Sequence, residues 1–214
     1  MTTGKRPAFN PLDKQHLGAS VGQAMLRQPV VPLGELKSFD GAGIYAIYYT
    51  GGFPCYAPIA ERNRNGLFNA PLYIGKAISR GARKGGYLET SPGKVLHNRL
   101  KQHARSLEEA SNIDITDFYC RYLIVDDIWI CLGESLLIAR FDPLWNTLID
   151  GFGNHDPGKG RHAGPRPGWD MLHPGRAWAQ NCAPRNETDE TISRDVRDYL
   201  RQNPPPHDTS MTTA

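Results

Sequence analysis

The chain has 214 residues, 39% of them hydrophobic and 22% charged, with a formal net charge of +3 at pH 7. That length gives one domain with extensions or two small domains, and no apolar run approaches the ~20 residues of a membrane span. Cys55, Cys120, Cys131 and Cys182 stand far apart with no C-x-x-C pair, which excludes a secreted disulfide framework, argues against a zinc finger and fits reduced thiols in a cytosol.

The opening MTTGKRPAFNP lacks the apolar stretch of a secretory signal, so a cytoplasmic location is expected. Residues 1–40 combine a helical candidate at 17–27 with proline-rich 28–33 and read as an N-terminal arm. At 42–49 the run AGIYAIYY is dense in aromatic and β-branched residues and predicts a buried strand. Residues 50–70 read as a long loop-like insertion before a second short strand at 72–75. A basic glycine-rich loop at 81–93 precedes a helix that opens at Pro92 and Gly93 and runs to about Ser111. Residues 117–127 contain a third strand, and a helix at 128–141 is stopped by Pro143, which lacks an N–H and clashes with the preceding turn. Residues 151–185, rich in Gly, Pro, Arg and His, read as irregular; an amphipathic helix at 191–201 precedes a polar tail.

Charge is segregated along the chain. Residues 76–105 carry eight basic side chains and one acidic, whereas 106–150 carry two basic and nine acidic. The basic stretch is either a footprint for a polyanion or a solvated helix face balanced by the acidic block that follows.

Three constellations could carry chemistry. On a helical wheel Ile130, Leu137, Ile138 and Phe141 form one apolar stripe with Glu134 at its centre. A glutamate there is either a functional carboxylate or one that reaches water or a salt bridge on the sheet. In the preceding helix Leu96, Leu100 and Leu107 define the inward stripe, His103 lies beside Leu96, and Arg99 sits at the stripe's edge. Arg99 and His103 are therefore neighbours on an inward face, one a forked phosphate donor and the other a proton carrier near neutrality; a satisfied core histidine beside a snorkelling arginine would look the same. Tyr45 and Tyr73 lie in the two strands and Lys76 follows the second. Together these residues suggest a site that works without a Ser or Cys nucleophile.

Two patterns mislead. Residues 153–160 nearly spell a phosphate-binding loop, but Gly160 stands where the Ser/Thr ligand belongs and no apolar strand feeds the segment. Asp13 with Glu35 and Lys37 loosely fits a D…E-x-K nuclease pattern, yet that E-x-K lies near prolines and not in an apolar strand. His155, His162, His173 and Cys182 lack zinc-site spacing.

AGIYAIYY (42–49) and PLYIGKA (71–77) resemble the two halves of the GIY-YIG nuclease motif. The family continues with an Arg on the next helix and then E-x-x-L-I-x-x-F-x-P-x-x-N, and here Arg99 is followed by Glu134, Leu137, Ile138, Phe141, Pro143 and Asn146 in that spacing. The likeness spans roughly 41–147. GFGNHDPGKGR (151–161) and WDMLHPGRAWA (169–179) further resemble the type II restriction-endonuclease branch, which includes enzymes recognising CCGCGG. Two features depart from the pattern: Tyr45 and Tyr73 are 28 positions apart, which makes 50–70 an insertion, and His103 stands where many members have tyrosine.

The resemblance implies an α/β (α+β) fold with a small three-stranded sheet flanked by helices. The catalytic core would occupy 41–150, a DNA-recognition extension 151–205 and a tail 206–214. It implies a type II restriction endonuclease, Mg²⁺-dependent with Mn²⁺ able to substitute, cutting double-stranded DNA at a G·C-rich palindrome such as CCGCGG. It would act as a homodimer in a prokaryotic cytoplasm, away from membranes, with a DNA methyltransferase as functional but not physical partner. The catalytic set would be Tyr45, Tyr73, Lys76, Arg99, His103, Glu134 and Asn146. Glu134 would hold the metal, Arg99 would stabilise transition-state charge, and Tyr45 would be the general base, its pKa lowered by Lys76. His103 would orient or relay the proton, while Tyr73 and Asn146 would position water and shape the site. DNA contacts are expected from Arg62 and Arg64, with Asn63 and Asn65, in the insertion, from Arg80, Arg83 and Lys84 in the basic loop, and from Lys159, Arg161, Arg166, His173 and Arg176 in the extension. Arginine paired to guanine in the major groove suits a G·C-rich site. Another GIY-YIG nuclease of homing or repair type, or a non-catalytic DNA-binding module, are the alternatives; the second would be expected to lack Glu134 or Arg99.

Overall fold

The computed structural model describes residues 10, 13–79, 92–158, 160 and 162–207. Helix α1 (Lys14–Leu26) begins on Asp13, whose side chain accepts the Gln15 N–H at 2.8 Å. The Asp13 of the D…E-x-K pattern is thus a helix N-cap. After a two-residue strand β1 (Val31–Pro32) comes β2 (Gly43–Tyr49), buried along its whole length as its apolar run predicts. The loop-like reading of 50–70 needs correction. It holds a helix, α2 (Ala57–Asn63), and it buries Cys55, Tyr56, Ile59, Ala60 and Asn63. Pro54 and Pro58 start the two helical turns rather than break them, because proline at a first-turn position forgoes an N–H that had no partner anyway.

Strand β3 (Tyr73–Ala77) and helix α3 (Val95–Glu109) come next, and of the basic loop expected at 81–93 only Pro92 and Gly93 lie within the described residues. Then follow β4 (Phe118–Ile124), α4 (Asp127–Phe141), α5 (Leu144–Thr147), α6 (Gly168–Leu172) and α7 (Asp189–Gln202). Helix α4 ends on Asp142 in the left-handed conformation (φ 44°), immediately before Pro143. All four cysteines are free, and three of them are buried.

The sheet is antiparallel throughout in the order β1-β4-β2-β3. The three expected strands are present, and the arm adds the fourth at the edge. Because successive side chains of a strand point to opposite faces, β2 divides the core in two. Ile44, Ala46 and Tyr48 pack with Met25 of α1 and Ile130, Leu137 and Phe141 of α4. Tyr45, Ile47 and Tyr49 pack with Leu96, Leu100 and Leu107 of α3, and with Trp145, Phe152 and Trp169. The second cluster also takes in Leu172, Val196 and Leu200, so the segment after residue 150 shares the core of the sheet.

Candidate active site

Strand β3 is a sheet edge, and the candidate residues gather around it. Tyr45 pairs across the ladder with Gly75, Ile47 with Tyr73, and Ile44 with Lys76. Cross-strand partners share a face, so Tyr45 and Tyr73 lie on the α3 side and Lys76 on the α4 side. A Cβ at Gly75 would stand 2.4 Å from the Tyr45 hydroxyl. Glycine is therefore required where the phenol crosses β3, a strand glycine marking a close approach.

On the α3 side the Tyr45 hydroxyl and His103 Nε2 are 2.6 Å apart, both fully buried. Burial pushes the Tyr45 phenol well above its ordinary range; Tyr73 and Glu134 add to this and Arg99 opposes it. Burial, followed by the influence of Arg99, His155 and Arg176, holds His103 well below its usual value. A neutral His103 can therefore accept the Tyr45 proton on Nε2. Tyr73 completes a three-ring cluster, with centroids 6.2 Å from Tyr45 and 5.3 Å from His103. Its phenol is also raised by burial and drawn back by Arg99.

On the α4 side Lys76 Nζ donates to Glu134 Oε2 at 2.5 Å, and this bond raises the lysine pKa. Glu134 sits on its apolar stripe as the sequence indicates, with 15% of its side chain exposed. The stripe's carboxylate does make a salt bridge to the sheet, and its charge acts on both phenols. Lys76 does not serve Tyr45: its ammonium is bound to Glu134, and the cation acting on the phenol is Arg99. The expected assistance of Tyr45 by Lys76 is corrected accordingly.

Arg99 is half-buried on α3. Its Nη2 donates to the Gly153 carbonyl at 3.0 Å and its Nη1 to His155 Nε2 at 2.8 Å. Phe152 stacks on His103 with centroids 4.5 Å apart and planes at 15°. Beside Arg99, among the described residues, Ser79, Lys94, Asn98 and Gln102 help line a cleft of about 600 Å³. Asn146 brackets Ile74 of β3. Its Oδ1 accepts the Ile74 N–H at 2.8 Å and its Nδ2 donates to the Ile74 carbonyl at 2.8 Å. Both ends of the amide are spent on the outer edge of β3, so Asn146 shapes the site by holding Tyr73 and Gly75 in place rather than by binding water.

A family model, the Eco29kI GIY-YIG domain, matches residues 37–200. The chain belongs to this GIY-YIG family. The match continues through the extension, which agrees with the shared core, and a nuclease domain of this restriction-endonuclease type acts on DNA. The chain matches no curated protein.

The structure separates the DNA-facing expectations for this GIY-YIG chain. His173 and Arg176 are corrected: they are buried, with 0% and 2% exposure, and face the core. The Trp145 indole N–H donates to the Tyr56 hydroxyl at 2.9 Å, Tyr56 donates to His173 Nε2 at 2.7 Å, and His173 Nδ1 donates to Asn112 Oδ1 at 3.0 Å. With both ring nitrogens occupied, His173 has nothing left for DNA, and burial pushes it down to about 3. Asn63, also fully buried, bonds the backbone of Tyr49 and Ala70. Arg62 bonds His207, Arg64 bonds the carbonyls of Thr50 and Gly51, and Arg166 bonds that of Ala179; each keeps exposed surface, as does Asn65. Arg80, Arg83, Lys84, Lys159 and Arg161 lie outside the described residues. The sequence reading missed Gly75, Phe152, Gly153 and His155. The glycine inside a strand pattern was a usable signal for the first; the other three lie in the GFGNHDPGKGR segment, whose resemblance gave them no individual role.

Proposed function

We propose that this GIY-YIG chain is a type II restriction endonuclease that hydrolyses double-stranded DNA with Mg²⁺, Mn²⁺ being able to substitute. Two copies would meet on a G·C-rich palindrome, with CCGCGG the first sequence to try and a cognate methyltransferase protecting host DNA. The reading is supported by one observation: a hydrogen-bonded Tyr45–His103 pair, the Arg99 guanidinium and the Glu134 carboxylate gather around the edge strand β3.

Among the described residues no group of three His, Cys, Asp or Glu is placed to form a metal cluster. Mg²⁺ does not need one, because it keeps several waters and is bound through one or two carboxylates plus substrate phosphate oxygens. Glu134 fits: it is a hard oxygen donor, partly open, whose present counter-charge is a lysine that can yield to a divalent ion. When bound, the ion supplies Lewis-acid charge at the scissile phosphate and leaving oxygen.

The remaining chemistry belongs to the side chains. Arg99 donates to the phosphate as negative charge grows in the transition state. Burial makes a standing Tyr45 phenolate unfavourable, so Tyr45 takes the proton of the attacking water as its own proton passes to His103 Nε2. Tyr73 closes the ring cluster, and Lys76 neutralises the Glu134 carboxylate until the ion takes its place. DNA contacts fall to Arg62, Arg64, Asn65 and Arg166, with Arg80, Arg83, Lys84, Lys159 and Arg161. Both Glu134 and Arg99 are in place, which favours a nuclease over a non-catalytic DNA-binding module. The test is to incubate the purified protein with a plasmid carrying CCGCGG and Mg²⁺, with Glu134→Gln as control. Discrete fragments from the wild type alone support the reading; no cutting, or equal cutting by the variant, overturns it.

A further inference from the structure

The segment after residue 150 reaches the site through a device centred on a buried arginine. All five guanidinium N–H groups of Arg176 have acceptors. Nε and Nη2 fork onto Asp170 at 2.7 and 2.6 Å. Nη1 donates to the carbonyls of Phe152 (3.2 Å) and Asn154 (3.1 Å), and Nη2 also donates to that of Gly151 (3.0 Å). Its guanidinium carbon lies over two indoles, 4.5 Å from the centroid of Trp169 and 4.8 Å from that of Trp178. Arginine has no further donors to give, and a lysine ammonium, with three donors and no planar fork, cannot replace it.

The consequence lies in the loop. Gly151, Phe152 and Asn154 turn their carbonyls to Arg176, while Gly153 turns its carbonyl to Arg99 at 3.0 Å. The next residue, His155, accepts from the other arm of Arg99 at 2.8 Å. Phe152, its backbone held by Arg176, lays its ring on His103. Alternate groups of one short segment are thus fixed from behind by Arg176 and grip Arg99 and His103 in front.

We propose that Arg176 is a positioning residue for phosphodiester cleavage: through residues 151–155 it holds Arg99 and His103 in the geometry the reaction needs. This rests on the nuclease reading above. Arg176 itself is buried and touches no substrate, so its loss acts on the rate and not on DNA binding. Displacing a reacting group by about 1 Å costs on the order of 10²-fold, and Arg176→Lys is expected to lose about that much in single-turnover rate, with DNA affinity unchanged within about threefold.

Removing half of a buried ion pair can also unfold a protein, so a second variant leaves the pair intact. At Gly153 a Cβ would stand 2.8 Å from Arg99 Nη2 and 3.1 Å from the Tyr73 hydroxyl. Gly153→Ala therefore displaces the grip directly. The experiment measures single-turnover cleavage of a CCGCGG duplex with Mg²⁺, duplex affinity in Ca²⁺, melting temperature, and ¹⁵N relaxation of the Arg99 guanidinium in protein free of DNA and metal. A folded Arg176→Lys, or Gly153→Ala if the first is unfolded, that loses rate but not affinity and frees the Arg99 guanidinium supports the proposal. Wild-type rate per folded molecule, or a loss of rate matched by a loss of affinity, overturns it. So does an Arg99 guanidinium as rigid in the variant as in the wild type. A wild-type protein that does not cut overturns the nuclease reading instead, and the relaxation measurement still decides whether Arg176 positions Arg99.

Discussion

Replacing Tyr45 by phenylalanine separates the chemistry of the site from its packing. The ring stays, fully buried and 6.2 Å from Tyr73 and 5.4 Å from His103 between centroids, while the hydroxyl at 2.6 Å from His103 Nε2 is deleted. Loss of general-base catalysis is expected to lower single-turnover cleavage by on the order of 10²–10⁴, which is ~2.7–5.5 kcal/mol on the barrier. His103 Nε2 is left buried with its Tyr45 partner gone, at about 1–3 kcal/mol. In a chain of this size that lowers the melting temperature by roughly 2–12 °C. Cleavage of a labelled duplex at saturating enzyme gives the first quantity and a thermal melt gives the second. If the variant cuts within about threefold of wild type, Tyr45 does not move the proton and the role passes to Tyr73. The wild-type rate carries a further mark. Burial and the neighbouring cations Arg99 and Arg176 depress His103, so it stays neutral and able to accept as pH falls through the usual histidine range. The acid limb of cleavage is therefore expected below pH ~6.5, and a limb centred at or above that value would remove His103 from the relay.

Three further outcomes follow from the same geometry. Glu134→Gln should lower cleavage by on the order of 10³-fold or more, the scale of several kcal/mol supplied by a metal ion, while gel-shift affinity for the duplex holds or rises; a variant that still cuts would mean that Glu134 does not hold the ion. Affinity should fall by roughly 10³ between 50 and 200 mM salt if six or more phosphates are engaged, and fluorescence titrations that are flat across this range would take DNA away from the basic surface. His173 is neutral when folded, with its pKa pushed to about 3, against ~6.5 in the unfolded chain. Between those values the unfolded chain binds a proton that the folded one refuses, so stability is complete above pH ~6.5 and falls towards pH 3, by up to roughly 4–5 kcal/mol. Melting temperatures from pH 7 to pH 4 should drop in the wild type and less steeply in His173→Gln, and parallel curves would refute the assignment.

The parts of the fold that were legible in the sequence are those whose signal is local. AGIYAIYY has the composition of a strand buried on both faces, and β2 is one. Glu134 could be placed on its stripe, and Arg99 beside an inward His103, because helical periodicity puts residues three and four apart on one face. Asn146 was expected to position water and shape the site; its bracket on Ile74, 72 residues away, was not legible, because no local pattern shows an amide holding a strand edge. The same holds more strongly after residue 150. His173 is buried because Tyr56, 117 residues earlier, meets it, and Arg176 because the carbonyls of 151–154 converge on it. In a stretch rich in Gly and Pro both residues look like surface polar groups, and only the tertiary partners reveal otherwise.

The extension's irregularity has a physical reason that also explains its place in the site. Buried carbonyls must find donors, and strands or helices supply them from neighbouring backbone. At 151–154 one guanidinium supplies them instead, which frees successive peptide groups to point in different directions. A regular strand would turn alternate carbonyls in fixed opposite directions. A regular helix would turn all of them along its axis and leave none for Arg99. The arrangement observed gives three carbonyls to Arg176, one to Arg99, an aromatic ring to His103 and an imidazole to Arg99 within five residues. The residues that would stabilise charge and move the proton arise on α3 and β2, and their geometry is set by a segment that a boundary at residue 150 would place in another domain. Phe152, Trp169 and Leu172 pack in the same cluster as Tyr45, Leu96 and Leu100. Any movement of the extension therefore reaches Arg99 directly, through the carbonyl of Gly153 and the imidazole of His155.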